Sequence, residues 1–69
     1  MAMAIAAILR AALAARDWSA AELARRSGVP QSITHRVLSG EHADPRFETV
    51  RRLAKALGVS LAKLDRELA

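Results

Sequence analysis

The chain has 69 residues, no cysteine, and eleven lysines and arginines against seven acidic residues, a formal net charge of +4 at pH 7. That length fits one domain, residues 1–69, with a small core. The missing thiols exclude disulfides and thiolate metal sites, and the charge favours a polyanionic partner over a neutral one.

Sixteen alanines, few β-branched residues and only two aromatics, Trp18 and Phe47, predict helix nearly throughout. His35 and His42 are seven positions apart with no further ligand at a metal-binding spacing, so neither a metal nor a cofactor is expected.

Residues 2–16 form the first predicted helix, with Ile5, Ile8, Leu9 and Ala12 on one face. Arg10 interrupts this apolar run, which is too short to span a bilayer and lacks the charged start of a signal peptide. A core-facing helix in a cytoplasmic, nucleoid-associated protein is the expectation. A membrane-surface peptide fits poorly with the regular helix caps that follow. Asp17 tolerates the turn that ends this helix.

Ser19-Ala20-Ala21-Glu22 reads as a capping box, with Trp18 and Leu23 spaced as a hydrophobic staple. The second helix should end near Ser27. Gly28 and Val29 alone separate it from a third helix over residues 30–39, with Pro30 at its first position. So short a connection fixes a steep angle between the two, as in a helix-turn-helix unit. A fourth helix is capped by Asp44 with Pro45 at its first position. Its apolar stripe is Phe47, Val50, Leu53, Ala54 and Leu57, and Gly58 closes it. A fifth helix follows Ser60 and presents Leu61, Leu64 and Leu68.

On a helical wheel the third helix turns Ile33 and Val37 inward. Gln31, Ser32, His35, Arg36 and Ser39 face outward, with Thr34 and Leu38 on the flanks. The outward set holds no acid and consists of small or hydrogen-bonding side chains. Arginine pairs bidentately with guanine and glutamine with adenine, while serine suits either. Taken alone, such a face suits ordinary solvation as well as base contacts; the two-residue turn before it and the basic charge shift the balance towards DNA.

The run from Trp18 to Ala24 resembles the start of the helix-turn-helix in lambda-repressor-like, XRE-type regulators. Gly28-Val29-Pro30-Gln31-Ser32, Leu38-Ser39-Gly40, Asp44-Pro45-Arg46-Phe47-Glu48-Thr49-Val50 and residues 53–60 continue the resemblance in order, over roughly residues 9–68. It implies an all-α, compact five-helix bundle that lays its third helix in the major groove. Gln31, Ser32 and Arg36 then match base-contacting positions, with His35 and Ser39 next. The backbone amides after Ser19 would meet a phosphate. His42 and Arg46 fall in a backbone-contact region. Two departures stand out. Ala20 occupies a place where members often carry glutamine. Ile33-Thr34 reverses the usual order of threonine then aliphatic, although the wheel still turns Ile33 inward.

Arg25 and Arg26 suit either phosphate contact or the helix dipole. Arg51, Arg52 and Lys55 read as a solvated basic strip, with Glu48 placed to pair with Arg52. Leu64 and Leu68, with Met1, Met3 and Ile5, are candidate dimer contacts. The serines, histidines and aspartates are scattered over caps and one polar face, so no catalytic site is expected. The resulting reading is a sequence-specific transcriptional regulator, a repressor in the first instance, bound to double-stranded DNA as a homodimer. The alternative is an antitoxin or other interaction module whose partner is a protein such as a toxin.

Overall fold

The computed structural model describes residues 2–41, 46–60 and 62, with backbone alone for residues 2 and 3. Among these there are four helices and no strand: α1 (Ala2–Ala15), α2 (Ala20–Ser27), α3 (Gln31–Ser39) and α4 (Phe47–Leu57). The anticipated fifth helix, with Leu61, Leu64 and Leu68, lies outside the described residues, as do Met1 and the side chain of Met3. No described helix is long and apolar enough to cross a membrane.

α1 ends because Asp17 adopts a left-handed conformation, φ 56°. The Asp17 amide then donates to Ala14 at 3.1 Å and the Trp18 amide to Leu13 at 3.2 Å. These two bonds form a Schellman closure that satisfies the last carbonyls of α1. α2 begins as its capping residue dictates: the Glu22 amide donates to Ser19 Oγ at 3.1 Å. The reciprocal half of the capping box is absent, because the Glu22 carboxylate is taken by Arg25 and Arg26 instead. Trp18 lies half-buried against the core, as its staple position requires. The guanidinium groups of Arg16 and Arg26 also lie over its ring, 5.6 and 4.5 Å from the centroid.

Leu9, Leu23, Leu53 and Leu57 are fully buried, one or two from each of α1, α2 and α4. Each contributes about 2 kcal/mol by leaving water. α3 packs on α1 and α2, and α4 on α2 and α1. Ile5 is also in this core and offers no dimer contact. Val50, Leu53, Ala54 and Leu57 form the inward stripe expected of α4, but Phe47 does not join it and is 68% exposed. Phe47 keeps the helical spacing of the stripe but stands at the first residue of α4, outside the core that the later turns reach. α4 also starts later than anticipated, with Arg46 as N-cap and no side-chain cap bond. Asp44 and Pro45, expected at that start, lie outside the described residues.

Candidate nucleic-acid interface

The connection from α2 to α3 turns on Gly28, whose φ of 76° only glycine adopts without strain. Its amide donates to the Ala24 carbonyl at 3.0 Å. Ser27 Oγ accepts from the Val29 amide at 3.2 Å, and buried Val29 then pins the turn to the core. Pro30 is the N-cap of α3 rather than its first helical residue. Its extended backbone, ψ 143°, feeds the chain into the helix, and its carbonyl accepts from the Thr34 amide at 2.9 Å.

Thr34 corrects the wheel drawn from the sequence. It is fully buried, as are nearly all of Val37 and Leu38, whereas Ile33 is only half-buried. The inward direction therefore lies about 70° from the Ile33–Val37 line, toward Leu38. The Thr34 hydroxyl is what makes the burial tolerable: it donates to the Pro30 carbonyl at 3.1 Å, with the Val29 carbonyl 3.5 Å away. One buried hydroxyl thus joins the turn to the first turn of α3.

The last turn of α3 is held from the other side. Arg10 Nη1 donates to the Leu38 carbonyl at 2.6 Å, across 28 positions of sequence. A cation suits the negative end of the helix dipole. The arginine that seemed only to interrupt an apolar helix is therefore a strut for α3. A charge inside an apolar run was the signal available in the sequence, but its target was not.

Rotation of the helix leaves the outward set unchanged. Gln31, Ser32, His35, Arg36 and Ser39 are all exposed. Among the described residues the side chains of Gln31, Ser32, His35 and Arg36 make no hydrogen bond or ion pair. Ser39 differs: its hydroxyl donates to the Arg36 carbonyl at 3.1 Å and accepts from the Glu41 amide at 3.3 Å, closing the helix end. At the start of α2, Ser19 Oγ is committed to Glu22, so any anion there would meet the amides of Ala20 and Ala21 instead. Arg46 is exposed and borders a hollow of about 410 Å³ with Pro30 and Ile33 at the start of α3. His42 lies outside the described residues.

Two carboxylates shape the field beside this face. Glu22 is held below the usual carboxylate range, first by its hydrogen bond from Arg25. Glu48 is held low first by the Coulomb attraction of Arg51. Arg51 Nε and Arg52 Nε lie 3.4 and 3.3 Å from its two oxygens, so the Arg52 pairing expected from spacing forms and Arg51 joins it.

Residues 9–64 match the family model described as helix-turn-helix. The chain is also 37% identical over 46 residues, 67% of its length, to an uncharacterized HTH-type transcriptional regulator of Coxiella burnetii (strain RSA 493 / Nine Mile phase I). It spans 21% of that relative's length. No solved structure matches the chain significantly.

Proposed function

The chain belongs to the XRE-type helix-turn-helix family, and on that premise we propose that it is a sequence-specific DNA-binding transcriptional regulator that reads operator DNA with α3 in the major groove. One observation carries this reading. Gln31, Ser32, His35 and Arg36 form an exposed, acid-free face with no competing partner among the described residues, on a helix braced at both ends. Unpaired donors on a rigid helix reach base edges without first breaking internal bonds.

Arg36 is assigned to a bidentate guanine contact, Gln31 to adenine, and Ser32 and His35 to neighbouring bases or phosphates. Ser39 contributes less, since its hydroxyl already closes the helix. The amides that follow Ser19 and the side chain of Arg46 take the phosphates on either side, with His42 assigned to the same backbone contact as Arg46. The protein acts as a homodimer on two half-sites about 34 Å apart, and it represses by occupying its operator. The related regulator from Coxiella burnetii supports the regulatory part of this reading.

Selection of bound sequences from a random duplex pool tests it. A defined motif with two inverted halves is expected. A pool that stays random after selection, with binding governed by salt alone, contradicts sequence reading.

A further inference from the structure

The largest cluster of positive charge among the described residues is not on α3. Among the described residues, Arg25, Arg26, Arg51, Arg52 and Lys55, on α2 and α4, face two carboxylates, Glu22 and Glu48. This face therefore holds three of the five excess positive charges of the described side chains, which comprise nine cations and four anions. The outward side of α3 carries one formal charge, on Arg36.

Three features make this face more than a solvated strip. First, it is concave: Arg26, Arg51, Arg52 and Lys55 border an open hollow of about 550 Å³ between the end of α2 and α4. Second, its cations are under-used. Arg51 and Arg52 meet Glu48 through Nε, which leaves their terminal nitrogens uncommitted, and Lys55 has no carboxylate partner among the described residues. Exposed pairs of this kind are weak and rearrange readily around a stronger anion. Third, it is continuous with the α3 side. Glu48 and Arg52 also border the hollow that contains Arg46, Pro30 and Ile33.

We infer that the α2–α4 face is a second, sequence-independent contact that follows the sugar-phosphate backbone of DNA flanking the site read by α3. Arg51, Arg52 and Lys55 take the phosphates. Glu48 tempers the contact by holding both arginines and repelling the backbone. Residues 51–55 of α4 cover roughly 6 Å of helix axis, close to the roughly 7 Å of axial rise across three successive phosphates on one strand. The occupant is assigned by that continuity and by charge, and the inference rests on the DNA-binding reading above.

The test compares the whole chain with R51Q/K55Q and E48Q on two duplexes that share one selected site. One duplex is about 14 base pairs long and the other about 30. Affinity is measured against salt, and circular dichroism verifies that each variant is helical. On the long duplex the parent should bind more tightly and with a steeper salt dependence than on the short one. R51Q/K55Q should lower the slope of log K against log salt by about 1.8 on the long duplex. Its affinity would then fall about ten-fold less than the parent's between roughly 50 and 200 mM salt. E48Q, which removes a carboxylate and keeps the shape, should move the other way, binding the long duplex several-fold more tightly.

Unchanged long-duplex slopes in both variants overturn the inference while leaving the α3 reading intact. So does loss, in R51Q/K55Q, of binding to a labelled peptide of alternating aspartate and glutamate while DNA binding stays at the parent's level. That result would give the face to an acidic protein segment. A parent that binds neither duplex overturns the α3 reading and this inference together.

Discussion

Arg10 and Leu38 are joined by a hydrogen bond of 2.6 Å between a guanidinium on α1 and the carbonyl in the last turn of α3. The bond ties α1 to the end of the helix assigned to DNA, yet neither residue belongs to the outward face. Arg10→Ala should destabilise the fold by about 1 kcal/mol, the scale of a charge-assisted bond at a partly exposed site. It should also weaken DNA binding although Arg10 touches no base. Urea unfolding and a duplex titration check the two effects, and unchanged stability would remove Arg10 from its strut role.

The rotation of α3 makes a sharper claim about neighbours. Thr34 is inside and Ile33 lies at the edge. Ile33→Ser should cost only about 1 kcal/mol. Thr34→Asp should cost several kcal/mol, because a carboxylate would be buried with no cation beside it. Thermal unfolding of the two variants gives the order, and the reverse order would restore the wheel drawn from the sequence.

Two left-handed positions differ in what surrounds them. A Cβ at Gly28 would meet nothing within 4 Å, so Gly28→Ala should cost about 1 kcal/mol from φ alone. A Cβ at Gly58 would lie 2.7 Å from Arg16 Nη2, the same guanidinium that faces the Trp18 ring. Gly58→Ala should therefore displace Arg16 and shift the emission of Trp18, the only tryptophan, whereas Gly28→Ala should not. Fluorescence spectra of the two variants distinguish them.

Acid should loosen α2 and α4 in particular. Glu22 and Glu48 have lowered values when folded, through Arg25 first for Glu22 and Arg51 first for Glu48. A lowered carboxylate contributes stability above its unfolded value and loses it as pH falls through the folded one. Glu48 is exposed and Glu22 partly so, and their partners are exposed, so the effect should be small and should shrink with added salt. The double variant E22Q/E48Q is expected to show a shallower fall in melting temperature below the usual carboxylate range than the parent. An equally steep fall would show that other carboxylates govern the acid limb.

Much of this arrangement was legible in the residues themselves. Ser19 and Glu22 announced the start of α2, and Val50, Leu53, Ala54 and Leu57 kept a period that fixed the inner side of α4. The outward set of α3 was readable because polar side chains stay exposed over a wide arc, so an error in rotation did not disturb it. Three features escaped for physical reasons. Thr34 is buried because a carbonyl in its own first turn satisfies its hydroxyl, a match that a hydropathy pattern does not register. Phe47 keeps the spacing of the stripe, but it stands at the first residue of α4, outside the core that the later turns reach. Arg10 depends on a long-range acceptor that only the packing of α1 on α3 brings within reach. The basic α2–α4 face was visible as separate charges, but its concavity and its link to the start of α3 come from packing.

The most direct test of the central claim is the affinity of Arg36→Ala, against the parent, for a selected duplex and for single-base-pair variants of it. If α3 reads the major groove, the substitution should cost about 1–3 kcal/mol and erase discrimination at one base pair per half-site, leaving the other positions in place. Parent-like affinity and undiminished discrimination at every base pair would contradict the assignment of that face.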